Sequence, residues 1–175
     1  MTKLTEAISV KTIDVPLNNN NFVKSLLNHL SGSLQDIIGL EEAEGFISIV
    51  GSKLGEQIDF QYREALNVEK LSRTQLTEVL IDLKARIDGD FYVLEEFPDK
   101  IVFGNKHCPF GSDVYDRPAL CMMTSNVFGV IAAENTGYAK VSIDESIARN
   151  HDHCKVTVYL SPDDTADGRE YYCSD

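Results

Sequence analysis

No stretch of this 175-residue chain approaches the ~20 consecutive apolar residues that a helix needs to cross a bilayer. The opening residues carry Lys3 but neither an apolar core nor a small-residue cleavage site, so they do not read as a signal peptide. A cytoplasmic location follows as the expectation. Basic clusters are missing too: 16 Lys and Arg lie scattered among 28 Asp and Glu, for a net charge of −12. Binding nucleic acid requires concentrated Lys and Arg to neutralise phosphates, and an acidic surface is repelled by anionic lipid. Neither nucleic acid nor a membrane is expected as a partner.

Catalytic signatures are absent as well. There is no Gly-x-Gly-x-x-Gly, no Gly-Lys-Ser/Thr phosphate loop, no Gly-x-Ser-x-Gly elbow and no His-Glu-x-x-His. Asp163, Asp164, Asp167, Gly168 and Glu170 lack the alternating ligands and closing Glu of an EF-hand loop. No pair of carboxylates stands out as an acid/base couple. The chain is not expected to be an enzyme, and no residue is nominated as catalytic.

What is present is an ordinary globular composition, 43% apolar and 25% charged, of a length that suits one domain. Residues 9–15 alternate weakly and suggest an edge strand, ended by Pro16 and Asn18-Asn19-Asn20-Asn21. A helix follows, with Phe22, Leu26, Leu27, Leu30, Leu34, Ile37 and Ile38 at helical spacing and Gly39 as its stop. A second helix spans about residues 41–66, with Phe46, Ile49, Val50, Leu54, Ile58 and Tyr62 on one side. Gly45, Gly51 and Gly55 inside it each cost about 1 kcal/mol against Ala, which points to close approach by another helix or a ligand, with a kinked or interrupted helix as the alternative. Ser72-Arg73-Thr74-Gln75 is a capping box for a third helix, closed at Asp88-Gly89.

The period then changes. Residues 91–97 and 100–103 read as strands joined at Pro98-Asp99, residues 120–133 as an apolar helix after Pro118, and residues 138–147 and 154–160 as two more strands. Helices first and strands afterwards favour an α+β fold, N-terminal helices packed on a C-terminal, mostly antiparallel sheet. The expected organisation is an N-terminal segment or edge strand over 1–20, a single domain over 21–160 and an acidic tail over 161–175.

The C-terminal stretch holds His107-Cys108, Cys121 and His151-Asp152-His153-Cys154. A loop, a helix start and a strand start would bring Cys108, Cys121 and Cys154 to one end of a sheet. Thiolate and imidazole are the ligands preferred by zinc and iron–sulfur clusters, and a helix N-terminus would lower the pKa of Cys121. The metal set is therefore Cys108, Cys121 and Cys154, with His153 as the fourth candidate. Two alternatives stay open: metal-free redox thiols, and cysteines that are simply small buried hydrophobes. Because strand neighbours point to opposite faces, His153 and Cys154 need not share a site. His151 reads as a turn residue, His29 as a helix-surface residue and Cys173 as incidental to the site.

Cys108-Pro109-Phe110-Gly111, Arg117-Pro118-Ala119-Leu120-Cys121 and Ala148-Arg149-Asn150-His151-Asp152-His153-Cys154-Lys155-Val156 together resemble the methanogen output domain family, itself similar to 4-vinyl-reductase-type small-molecule-binding domains. Glu41-Glu42-Ala43-Glu44-Gly45-Phe46 and Gly51-Ser52-Lys53-Leu54-Gly55 are similar to the first half of that family, so the resemblance covers about residues 25–160. It implies a regulatory module of the kind found beside histidine kinases, diguanylate cyclases or winged-helix DNA-binding regions. With no effector in the chain, the expectation is a separate effector or a larger parent protein. The interval from Cys108 to Cys121 is also similar to that of iron–sulfur repressors, but no cysteine lies between Cys121 and Cys154, which leaves three Cys with a His or a carboxylate as the ligand set.

Three functions compete on this reading. One is a sensor that reports redox or metal status through a zinc ion or iron–sulfur cluster. Another is a sensor for a small apolar ligand, with structural cysteines and a pocket lined by the three helix glycines and the apolar run 127–132. The last is an adaptor that forms a homodimer through its N-terminal helices.

Overall fold

The computed structural model describes residues 14–111 and 114–173. Helix α1 (Asn19–Ile38) begins where the Asn18 side chain accepts a hydrogen bond from the Asn21 N–H, and ends at Gly39 with φ of 88°. Helix α2 (Leu40–Leu66) stops at Asn67, which takes the left-handed conformation. Helix α3 (Arg73–Ala85) carries both halves of the Ser72–Gln75 capping box. The strand expected near residues 9–15 falls mostly outside the described residues, and residues 14–18 form no strand.

Five antiparallel strands follow: β1 (Phe91–Glu96), β2 (Lys100–Asn105), β3 (Tyr138–Glu145), β4 (Cys154–Tyr159) and β5 (Arg169–Tyr172), in the order β1-β2-β4-β3-β5. The fold is α+β. Between β2 and β3 a 3-10 turn (Pro118–Leu120) leads directly into α4 (Cys121–Thr136), and a second 3-10 turn (Ile147–Arg149) precedes β4.

Helix α4 is buried nearly all round, so it shows no amphipathic stripe. It packs against β3, β4 and β5 on one side and against α2 on the other. Phe128 meets Phe91 and Phe103 edge-on at 5.4 and 5.5 Å, and Leu76, Leu80, Ile101, Ile131, Val156 and Val158 complete the main core.

Two of the three α2 glycines serve close helix packing. A Cβ at Gly51 would lie 2.8 Å from Asn126 Cβ, and one at Gly55 would lie 2.9 Å from Val130 Cβ. Gly45 has open space instead. The neighbour that demands these small residues is α4 rather than a ligand, so the glycines do not line a pocket.

Of the expected tail, residues 161–173 do not simply leave the domain. Arg169–Tyr172 pairs with β3, and the Tyr171 ring is buried against α4. Lys140 secures the intervening loop by donating to the carbonyls of Asp163 and Ala166 at 2.7 and 3.2 Å. The apolar residues of α1 and α2 also turn the other way from a core-facing stripe. Phe22, Leu26, Leu30, Ile37, Phe46, Ile49 and Val50 are exposed, while Asn28, Ser31, Gly32, Ala43, Ser48 and Gly51 are buried.

Candidate functional site

Cys108, Cys121 and Cys154 line one cavity of about 30 Å³. Cys108 opens a tight turn in which the Gly111 N–H donates to its carbonyl at 3.0 Å. Cys121 starts α4, and Cys154 starts β4 directly opposite Asn105 at the end of β2. That register carries Cys154 to the strand end from which the Cys108 turn departs. Phe91, Phe110, Val114, Leu120, Ile143 and Val156 make the rest of the wall largely apolar, with Asn105, Thr124 and Ser146 as polar members.

Burial dominates the thiol chemistry. It pushes Cys108 up to about 11 and raises Cys121 as well, so both stay protonated at neutral pH. The lowering expected for Cys121 from a helix N-terminus is not realised. Its N–H is already bonded to carbonyls of the preceding 3-10 turn, which leaves little free dipole to stabilise a thiolate. Cys154 Sγ accepts a weak hydrogen bond from the Ile147 N–H at 3.5 Å. The buried Ser146 hydroxyl lies against the Cys121 thiol and partly offsets its rise.

The most unusual group beside the cavity is Lys84. The residue is 2% exposed, and burial pulls its ammonium down to about 8, with the three cysteines nearby. Nζ donates to Thr124 Oγ1 at 2.7 Å and sits 5.2 Å from the ring centroids of both Phe91 and Phe128. Sequence reasoning passed over Lys84, Thr124 and Ser146. For Lys84 a signal existed, because it lies four residues beyond Leu80 and eight beyond Leu76 on the face of α3 that meets the core.

The histidines do not join the cysteines. His153 does not line the cavity and pairs with Glu145 at 3.2 Å, with its side chain 42% exposed. It lies in the bend that precedes β4, one residue before the strand begins at Cys154. His151 Nδ1 lies 3.1 Å from the Ser146 carbonyl, a turn contact, and His107 is an exposed partner of Asp90. Cys173 and His29 are exposed. Among the described residues, no group of three His, Cys, Asp or Glu side chains is arranged to hold a metal ion.

Fold and cavity together define an α+β domain with a cysteine-lined cavity where the Cys108 turn, the start of α4 and the start of β4 meet. The chain belongs to the methanogen output domain 1 family, whose model matches residues 26–159. Its fold is similar to the crystal structure of the phenol-responsive sensory domain of the transcription activator PoxR with phenol. The TM-score is 0.65 at 17% identity, over 83% of this chain and 76% of that one. It is also similar to a trafficking protein particle complex subunit 3 from Naegleria fowleri covalently bound to palmitic acid. There the TM-score is 0.58 at 11% identity, over 88% of this chain and 99% of that one. At these identities the likeness concerns the fold. No curated protein matches the chain in sequence.

Proposed function

We propose that this domain is a regulatory sensor that binds a small, largely apolar molecule in the thiol-lined cavity and reports it to a separate effector. The observation that carries the reading is a cavity walled by β1, the Cys108 turn, the start of α4, β3 and β4, with the protonated thiols of Cys108 and Cys121 in its lining. Convergent polar atoms in an otherwise apolar pocket are the usual make-up of a ligand site. The phenol in the PoxR sensory domain and the palmitic acid on the trafficking subunit support an apolar occupant in this fold.

The cavity volume suits a sensor. At about 30 Å³ it has room for about two waters, whereas an apolar cavity that accepts benzene is about 150 Å³. A ring-sized ligand must therefore displace the walls, and the displaced state is the one the ligand selects. Native mass spectrometry and thermal unfolding with phenol test this. A bound adduct and a dose-dependent rise in Tm are expected, and no adduct with no Tm change across a panel of small aromatics sinks the reading.

A second reading is favoured by the convergence of the three cysteines: a zinc ion or iron–sulfur cluster held by Cys108, Cys121 and Cys154. Metal binding would have to deprotonate thiols that burial keeps neutral and draw their sulfurs together. Metal and sulfide content of protein purified without oxygen decides it, near-stoichiometric metal favouring this reading and none removing it.

The exposed apolar residues of α1 and α2, Phe22, Leu26, Ile37, Phe46 and Ile49 among them, support a role for these helices in dimerisation. A histidine kinase, a diguanylate cyclase or a winged-helix regulator is the class of effector proposed. A strictly monomeric protein at high concentration would remove the homodimer.

A further inference from the structure

Lys84 is a buried cation without a counterion. Its ammonium has three N–H groups, and one donates to the neutral hydroxyl of Thr124 at 2.7 Å. The faces of Phe91 and Phe128, each 5.2 Å from Nζ, offer partial compensation. Among the described residues no carboxylate lies within ion-pair distance of it. Burying an unpaired charge is costly, and such groups are ordinarily paired or used. Thr124 and Phe91 both line the cavity, so the unpaired charge lies immediately behind its wall. Ser146, whose buried hydroxyl lies against the Cys121 thiol, lines the same cavity.

We propose that the cavity takes a small aromatic weak acid bound as its anion, with the ionised oxygen paired to Nζ of Lys84 beside Thr124. This inference rests on the reading of the cavity as a ligand site and adds the chemical class of the ligand. A neutral hydrocarbon would fill the apolar wall but leave the ammonium unpaired. An arenolate or carboxylate on a ring satisfies both, since the ring takes the apolar wall and the oxygen takes the charge. The Cys108 and Cys121 thiols, protonated through burial, do not already neutralise the lysine.

The test uses two probes of the same ring size, para-nitrophenol and nitrobenzene, on the full chain and on Lys84→Met and Lys84→Gln. Wild-type protein should bind para-nitrophenol at least about tenfold more tightly than nitrobenzene, the gain expected of one charge-assisted hydrogen bond. The bound dye should show the yellow absorption of its anion at a pH where free dye is protonated. Both variants should bind the two probes alike and lose the anion band. Wild-type protein that binds both probes equally, with the dye protonated, overturns the Lys84 pairing and leaves the cavity reading standing. Binding of neither probe overturns both. The anion band in wild-type protein is read without any variant, so a substitution that impairs folding leaves the test intact.

Discussion

Gly129→Ala tests where the C-terminal strand lies. Gly129 is in the interior of α4, where replacing glycine by alanine ordinarily stabilises a helix by about 1 kcal/mol. Here a Cβ would fall 2.1 Å from Tyr171 Cδ2 and 2.3 Å from Cε2, far inside the 3.4 Å at which ordinary contact begins. The ring must leave, together with its 2.8 Å hydrogen bond between the Tyr171 and Ser125 hydroxyls. Re-exposing a side chain of this size costs about 2–3 kcal/mol, and the lost hydrogen bond about 1 kcal/mol. Set against the helix gain, Gly129→Ala should destabilise by about 2–3 kcal/mol. In a Tyr171→Ala background the clash is gone, and the same substitution should stabilise by about 1 kcal/mol. The coupling between the two sites is then about 3–4 kcal/mol, read from urea unfolding of the four proteins with m held as a check. Gly129→Ala that stabilises the wild-type background, or acts identically in both, would refute the placement of Tyr171 on α4.

Three further outcomes are expected. Ser72→Ala removes one half of the capping box and should lower stability by about 1 kcal/mol in urea unfolding, and no change would mean the box is not formed in solution. Alkylation at neutral pH followed by peptide mapping should label exposed Cys173 well before Cys108 and Cys121, whose thiols are partly buried and raised, and even labelling would contradict their shielding. Lys84→Met should stabilise the protein at neutral pH, by up to about 3 kcal/mol from the fall of the lysine from 10.5 to about 8. The folded state binds fewer protons than the unfolded one between those values, so wild-type stability gains on the variant as pH rises from about 8 to 10.5. A gap that widens over that window would contradict the burial of a charged lysine.

The order of elements was legible in the sequence because it rests on local signals: the Ser72 capping box, the Gly39 stop, and the change of period after Asp88. Orientation was not. Periodicity identifies which residues share a helix face but assumes that the larger apolar side chains face the core. In α1 and α2 the partner approaches too closely for them, so small and polar residues face inward and Phe22, Leu26 and Phe46 are left outside. Strand β5 was missed because only Tyr171 of its four residues is buried, and pairing at a sheet edge leaves little hydrophobic alternation to read. Convergence of the three cysteines was legible as a loop, a helix start and a strand start meeting at one sheet end. His153, in the bend before β4, pairs with Glu145 instead, and the raised thiols follow from burial, which no spacing reveals.

The same close packing that hid the helix orientation bears on how the proposed sensor would signal. Cys121 and Thr124, in the cavity wall, lie in the first turn of α4, so a ligand that enlarges the cavity pushes on the end of that helix. Helix α4 has little slack along α2, because the backbone of α2 at Gly51 and Gly55 already rests on Asn126 and Val130. Interiors at crystal-like density transmit such displacements instead of absorbing them. The opposite side of α2 carries exposed Phe46, Ile49 and Val50. Ligand binding should therefore alter amide hydrogen exchange in α2 as well as around the cavity, and Gly55→Ala, which forces α2 off Val130, should weaken that response. A change confined to the cavity walls in wild-type protein would mean that α4 yields locally, and the route to the exposed helices would have to be abandoned.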